Sequence, residues 1–276
     1  MSAMYIAVDI GGTKTLVAAY SEEGDVLASE KNPTQREYPD FIKELTEVIH
    51  RVSGDQDVEA ICVAAPGRIN YEEHKVLSLG NLGWQDIDIP GDLRKEFDVP
   101  IHLDNDANLG AVGEANLGAG KDYRSVLYVT VSTGIGTGVC MDGKLPEVLR
   151  KSEGGSMHFR HDGEFMKWEH FASGKAFVER FGKMGKDVPE GDEAWYQFGG
   201  DVSLGIGSLV AVIEPDVVVI GGSMGTHLEK YRSSLLDALQ RTRSVVVKIP
   251  PIVAAEQPEE AVINGCYVTC KQQSEN

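Results

Sequence analysis

The chain runs twice through the same opening figure, and any fold for it has to accommodate both passes. In the first, Met4 to Thr15 reads Met-Tyr-Ile-Ala-Val-Asp-Ile-Gly-Gly-Thr-Lys-Thr, an apolar β-rich run that ends on a carboxylate and meets two glycines and a threonine. Residues 16–20 read as a second strand, Glu23-Gly24 as a turn and residues 26–29 as a third strand. Phe41, Leu45, Val48 and Ile49 then stand at helical spacing within residues 38–51, and residues 60–65 form an apolar strand running into Pro66-Gly67. At Arg124 the order restarts. Residues 126–131 read as a strand, 132–138 as a Gly/Thr turn, 139–141 as a strand, Asp142-Gly143 as a turn and 145–149 as a third strand. A duplication of this kind over 276 residues predicts α/β architecture in two lobes, with one phosphate-cradling loop from each half facing a cleft.

Between the passes, residues 90–97 predict a short helix with proline at its start, 100–103 a strand, and Asp104 onward a longer helix. After the second pass come a long insertion over 151–171, helices around 173–181 and 204–213, and an apolar strand at 217–220 running into Gly221-Gly222-Ser223. A strand-to-helix turn of that type lies against a nucleotide in α/β folds. An amphipathic helix over 228–239, short strands over 244–249 and 252–255, and a last helix over 259–271 complete the pattern.

The Asp9 turn has the composition of a polyphosphate site. Glycines let the main chain approach a phosphate, Thr13 adds a hydroxyl, and Asp9 can hold a magnesium-bound water. The run Leu103-Asp104-Asn105-Asp106-Ala107-Asn108 marks a strand end leading into a helix. Helix capping accounts for one or two of its four polar residues. A carboxylate at a helix start can also accept a proton from a substrate hydroxyl, with a neighbouring amide orienting that hydroxyl.

Several other patterns lead nowhere or to different chemistry. Residues 138–144 match most of a Walker A loop, but Leu145 replaces the required Ser or Thr and the stretch lies between two strands, so it reads as a hairpin. Gly221-Gly222-Ser223-Met224-Gly225 matches the nucleophile elbow of an α/β-hydrolase. That chemistry needs an acid and then a histidine later in the chain, and only His227 follows, too close to Ser223 to serve. His158, His161, Asp162 and His170 are candidate metal ligands, although no cysteine lies nearby to complete a structural zinc site. Nothing resembles a helix-turn-helix.

Charge and cysteine usage narrow the partners. Asp plus Glu number 43 against 26 Lys plus Arg, a net charge of −17, which repels nucleic acid and anionic membrane. No stretch approaches the ~20 apolar residues of a membrane span, and the first apolar run is short and lacks a basic flank, so a soluble cytoplasmic protein is expected. Cys62, Cys140, Cys266 and Cys270 make no Cys-x-x-Cys pair, and three lie in apolar runs, which predicts buried thiols.

Together these residues resemble the ROK sugar kinases and glucokinases of the actin/hexokinase superfamily over nearly the whole chain. Asp9-Ile10-Gly11-Gly12-Thr13-Lys14 is similar to the family's first phosphate loop, and Ser132 to Gly138 to its second. Ala65-Pro66-Gly67 resembles the substrate-side turn, Asn105-Asp106-Ala107-Asn108 the catalytic segment, and Val219-Ile220-Gly221-Gly222 the strand and turn beside the adenosine. Glu153-Gly154-Gly155 and Trp168 to Gly174 resemble the two segments that supply sugar-binding glutamates.

The resemblance implies two ribonuclease-H-like lobes around an active-site cleft, residues 1–119 and 120–258, with the helix over 259–271 packing back on the first. ATP, Mg²⁺ and a hexose are the implied ligands, with glucose phosphorylated at its 6-hydroxyl, and a homodimer is left open. Asp106 is the implied base. Gly67, Asn105, Asp106, Glu153 and Glu169 are on the sugar side, and His158, outside the family's pattern, is this chain's own candidate for a further sugar contact. Asp9 (through water to Mg²⁺), Gly11, Gly12, Thr13, Lys14, Thr133, Gly134, Gly221 and Gly222 are on the nucleotide side. Two departures stand out. The family's cysteine-rich zinc motif between the two glutamates is replaced by residues 158–167 without a cysteine, so no structural zinc is expected. The sugar-binding histidine usually three positions after the first glutamate is Ser156 here, which leaves N-acetylmannosamine, N-acetylglucosamine, fructose, or a sugar-binding regulator with weak or no kinase activity as alternatives.

Overall fold

The computed structural model describes residues 3–79, 82–242, 245 and 247–275. The chain forms two compact units, Met1–Gly113 with Val262–Asn276, and Glu114–Ala261. In the first unit, strands β1 (Met4–Ile10), β2 (Lys14–Ser21) and β3 (Val26–Pro33) form an antiparallel meander. Helix α1 (Tyr38–Ser53) follows, and then β4 (Val58–Ala65), which pairs parallel to β1. β1 is central in the order β3-β2-β1-β4-β8 and is buried on both faces, which is why its sequence is continuously apolar up to Asp9. β3 lies at the edge and has no buried residue. On α1, Phe41, Leu45, Val48, Ile49 and Val52 make one buried stripe, and the helix ends at Gly54 with φ of 56°.

A small meander not foreseen in the sequence comes next, β5 (Arg68–Asn70), β6 (Lys75–Leu79) and β7 (Trp84–Ile87). Helix α2 (Ile89–Leu93) is shorter than the sequence predicts and is capped by Asp88, whose carboxylate accepts the Gly91 N–H. Strand β8 (Ile101–Asn105) pairs parallel to β4 and leads into helix α3 (Asp106–Leu117), within which the boundary between the two units falls. The C-terminal helix, Ala261–Ser274, packs against β1 and β2: Cys266 and Cys270 lie against the Val8 and Ile6 carbonyls, and Tyr267 stacks on Tyr20 with ring centroids 4.8 Å apart.

The second unit repeats the scheme. Strands β9 (Ser125–Val131) and β10 (Ile135–Met141) form a hairpin; β13 (Val217–Gly221) and β14 (Ile252–Ala254) add parallel strands in the order β10-β9-β13-β14. The first unit's β2-β1-β4-β8 has the same order and the same strand directions. Between β10 and β13 lie the hairpin β11 (His158–His161) and β12 (Glu164–Lys167), then α4 (Glu169–Ala172), α5 (Gly174–Phe181) and α6 (Glu193–Ile213). After β13 come α7 (Gly222–Gly225) and α8 (Leu228–Thr242).

Three sequence expectations need correction. The third strand over 145–149 is instead a 3₁₀ turn, Glu147–Leu149, because Pro146 precedes it and Val148 is 90% exposed with no apolar face to bury. The Gly/Thr turn is confined to Ser132, Thr133 and Gly134, since β10 already begins at Ile135. Helix α6 extends well upstream of residue 204, and its 21 residues are long and apolar enough to cross a membrane, the only such helix among the described residues. Its apolar residues form a core stripe, with Trp195, Phe198, Val202, Ile206 and Val210 buried. The strand expected over 244–249 includes Ser244 and Val246, which lie outside the described residues. The stretch 138–144 runs from the end of β10 into a tight turn at Asp142 and Gly143, at φ of 50° and 75°, closed by a bridge between Met141 and Lys144.

Candidate functional site

In the first unit, the β1–β2 turn is held open by its own backbone. Gly11 N–H donates to the Lys14 carbonyl at 2.9 Å, and a Cβ at Gly11 would stand 2.7 Å from that oxygen, so the turn excludes a side chain there. Thr34 fastens the turn from outside: its hydroxyl donates to the Gly11 carbonyl at 2.8 Å and its N–H to the Thr13 carbonyl at 3.0 Å. Thr13 and Lys14 are left exposed, their side chains available to a ligand. Asp9 sits one residue before the end of β1, flanked by Leu16 of β2 and Ala64 of β4. Burial, and then the charge of Asp106, push its carboxyl up to about 7 against a weaker pull from Lys31.

The four polar residues at the β8–α3 junction divide by direction. Asp104 and Asn108 are each 2% exposed, and Asp104 Oδ1 accepts hydrogen bonds from the Tyr71 hydroxyl at 2.9 Å, the Asn105 N–H at 2.8 Å and Asn108 Nδ2 at 2.9 Å. Those two knit the junction together. Asn105 and Asp106 are half-buried instead. Asn105 Nδ2 donates to the Gly67 carbonyl at 3.0 Å, and the Ala107 N–H is shared between Asn105 Oδ1 and Asp106 Oδ1 at 2.9 and 2.8 Å. The first unit thus brings together Asp9, the Gly11 turn, Gly67, Asn105 and Asp106. Among the described residues no group of three or more His, Cys, Asp or Glu could hold a metal ion, so the Asp9 and Asp106 carboxylates suit only an ion that keeps most of its waters, as Mg²⁺ does.

In the second unit, Ser132 N–H donates to the Gly134 carbonyl at 2.9 Å, making the β9–β10 turn tight, and the Ser132 carbonyl accepts the N–H of Gly174 at 2.7 Å. Thr133 is exposed at its tip. Glu169, first residue of α4, lies over Gly134: a Cβ there would stand 2.9 Å from Glu169 Oε2. The Glu153 segment packs on β10, with Gly154 N–H donating to Thr137 Oγ1 at 3.0 Å, and side chains at Gly154 or Gly155 would strike that strand. Glu153 itself is exposed. His158 is exposed and opens β11 opposite Lys167, whose amine lies 3.5 Å from Glu169 Oε1. His161, grouped with His158 in the sequence, belongs elsewhere, bonded to Asp201 at 2.9 Å. Gly222 holds φ of 73° at the β13–α7 turn, and a side chain at Gly221 would overlap the Tyr128 hydroxyl. Beside this turn is a cleft of about 730 Å³ lined by Thr133, Gly174, Lys186, Ser223, Met224 and His227 among others, large enough for a nucleoside.

The ROK family's sequence profile matches residues 5–273. The chain belongs to the ROK family. A glucokinase from Streptomyces coelicolor is 29% identical over 212 residues, 73% of this chain and 66% of that protein. A xylose repressor from Bacillus spizizenii is 25% identical over 246 residues, covering 79% of this chain and 64% of the repressor. Among solved structures, a ROK glucokinase from Streptomyces griseus in complex with glucose and AMPPNP superposes with a TM-score of 0.83 at 22% identity, covering 98% of this chain and 99% of that one. This ROK chain therefore has the sugar-kinase fold and relatives of both enzymatic and regulatory kind.

Two contributors to these ROK loops escaped the sequence reading. Thr34 reaches the β1–β2 turn only through the β2–β3 register, which pairs Lys14 with Pro33. Lys186 reaches the cleft from a 3₁₀ turn, Gly185–Asp187, inside what read as connecting chain.

Proposed function

We propose that this chain transfers the terminal phosphoryl group of Mg-ATP to a hydroxyl of a hexose or hexose derivative, with glucose at its 6-hydroxyl as the first acceptor to test. The observation that carries the reading is the head of α3. Asp106 is fixed there by the Ala107 N–H, half-open to solvent, beside Asn105 and close enough to Asp9 to raise its proton affinity.

In this reading Asp106 takes the proton as the sugar oxygen forms its bond to phosphorus and the bond to the ADP oxygen breaks. The sugar-side residues are Asn105 and Gly67 in the first unit and Glu153, His158 and Glu169 in the second, each suited to hold a sugar hydroxyl. Gly11, Gly12, Thr13 and Lys14 receive phosphates in one unit, as Thr133 and Gly134 do in the other, with Gly221 and Gly222 on the adenosine side. Asp9 would hold Mg²⁺ through water, and when bound the ion offsets charge on the transferring group. Positioning and charge neutralisation supply most of the catalysis in such a reaction. The glucose and AMPPNP of the Streptomyces griseus glucokinase support this choice of ligands.

Ser156, where the family usually has a sugar-binding histidine, and the likeness to a xylose repressor favour one second reading: a sugar-binding regulator with weak or no kinase activity. A coupled ADP-release assay with Mg-ATP over glucose, fructose, N-acetylmannosamine and N-acetylglucosamine separates the two. Sugar-dependent ADP release with any of these supports the kinase. Calorimetric sugar binding without ADP release above the sugar-free rate supports the regulator, and neither signal rejects both.

A further inference from the structure

The hairpin β11–β12 joins no other sheet among the described residues. A lone two-stranded hairpin is marginal in water, yet this one separates the Glu153 segment from Glu169 and carries His158. Its fixed position must come from side chains. Register pairs His158 with Lys167 and His161 with Glu164, Asp162 and Gly163 turn the corner at φ of 48° and 88°, and the Trp168 N–H closes the open end on the Met157 carbonyl at 2.7 Å.

One residue of α6 grips both ends. Asp201 Oδ1 is 2.9 Å from His161 Nε2 at the turn, and the Asp201 main-chain carbonyl accepts the Trp168 indole N–H at 3.2 Å at the base. Arg180 of α5 braces the same carboxylate, donating from Nη1 to Oδ2 at 2.8 Å. The His161 imidazole lies flat on Phe171 of α4, with centroids 4.2 Å apart and planes 13° from parallel. The indole of Trp168 is fully buried against Gly205, one turn further along α6, where any side chain would collide with it. The side chains of His161 and Asp201 are each 14% exposed, so their bond is shielded from the water that weakens surface pairs.

We propose that Asp201, braced by Arg180, is a positioning residue that clamps the hairpin through His161 and Trp168 and so sets where His158 and Glu169 stand for the sugar. The inference rests on the sugar-binding reading above. Glu169 follows Trp168 directly, and Lys167, which pairs with His158, also approaches Glu169, so a hairpin that swings carries both proposed sugar contacts with it. The hydrogen bonds of the clamp run between α5, α6 and the hairpin, whereas the nucleotide-side residues Thr133, Gly221 and Gly222 lie on the β9–β10 turn, the end of β13 and the start of α7.

Two variants and two measurements test it. Asp201→Ala removes both carboxylate bonds; His161→Phe keeps a ring on Phe171 and removes the bond to Asp201 together with the 3.4 Å approach of Nδ1 to Asp162 within the hairpin's own turn, and is read alone if the first variant does not fold. Amide hydrogen exchange of residues 158–168, taken without ligand, should accelerate in both variants while β9 and β13 stay protected. For whichever hexose the wild type accepts, KM for the sugar should rise on the order of 10-fold, the scale of a lost buried hydrogen bond to a charged group, with KM for ATP unchanged, and Asp201→Asn should recover part of the loss. Unchanged hairpin exchange in both variants overturns the clamp, and faster exchange with a wild-type sugar KM overturns its positioning role. If the wild type neither phosphorylates nor binds a hexose, the sugar reading falls and the positioning role with it, while the ligand-free exchange still decides whether Asp201 holds the hairpin.

Discussion

Asn105 donates its side-chain amide to the Gly67 carbonyl at 3.0 Å while its own oxygen receives the N–H of Ala107 at 2.9 Å. The last residue of β8 is thereby tied to the turn after β4 and to the first turn of α3 at once. Gly67 holds φ of 92°, and a Cβ on it would overlap the Ser78 carbonyl oxygen. Gly67→Ala should destabilise the protein by about 1 to 3 kcal/mol and raise the sugar KM, since the carbonyl that Asn105 grasps must move. Gly54→Ala is the control, because Gly54 also has positive φ, 56°, with nothing within 4 Å. Equal losses of stability in urea for the two variants would show that the contact at Ser78 is not felt.

Asp106→Asn keeps the shape of the α3 head and its bond from the Ala107 N–H but cannot take a proton. Turnover should fall by at least ~10²-fold, the usual scale for a general base, with sugar affinity little changed. Turnover at the wild-type rate removes Asp106 from the chemistry.

Asp9 makes stability depend on pH in the metal-free protein. Its carboxyl is raised from 3.8 to about 7 in the fold by burial and by Asp106. Between those values the folded chain holds a proton that the unfolded chain has released. Stability should therefore be greatest below about 4, fall as pH rises toward 7, and level off above it, with a slope of at most about 1.4 kcal/mol per unit. Urea denaturation in EDTA at pH 5, 6, 7 and 8 should show this fall in the wild type and lose it in Asp9→Asn. A wild-type minus variant difference that stays constant over that range contradicts it.

What the sequence disclosed and what it hid follow one physical line. β1, β9 and β13 were legible because central strands buried on both faces read as unbroken apolar runs. The glycine turns were legible because close backbone approach at Gly11, Gly155 and Gly222 leaves no room for other residues. The β5–β7 meander was not, since strands of three to five residues with at most two buried positions each carry little periodicity. The start of α6 was obscured by Gly199, Gly200, Gly205 and Gly207, although its buried stripe was present. At the junction after β8, four polar residues looked equivalent, and only the fold separates Asp104 and Asn108, which point inward, from Asn105 and Asp106. Asp201 left no local trace, because its partner His161 is 40 residues away.

All four cysteines are buried and free. Burial raises the thiols of Cys62 and Cys266 well above their ordinary value and that of Cys140 to about 12. A buried thiol so rarely ionised is a poor nucleophile. The native protein should thus release almost no colour with an aromatic disulfide reagent, and four equivalents should appear only in guanidinium. Rapid labelling of Cys266 or Cys270 in the native protein, located by peptide mass, would mean that the C-terminal helix that carries them leaves its place against β1.

His158 and Ser156 test how the chain manages without the family's usual histidine. Ser156 ends a 3₁₀ turn and is half-buried, and its short hydroxyl cannot reach as far as an imidazole ring. His158 is exposed at the start of β11, opposite the lysine that approaches Glu169, so its ring shares a neighbourhood with that carboxylate. If His158 supplies the missing contact, His158→Ala should raise KM for the preferred sugar by a loss of about 1 to 3 kcal/mol, and Ser156→Ala by less. Exposure in the ligand-free protein puts the His158 effect toward the lower end of that range, because water can take over an exposed partner's hydrogen bond. A wild-type KM in His158→Ala would remove it from the sugar side and leave Glu153 and Glu169 as the second unit's determinants. A larger effect from Ser156→Ala would instead assign the contact to the serine, through a bridging water.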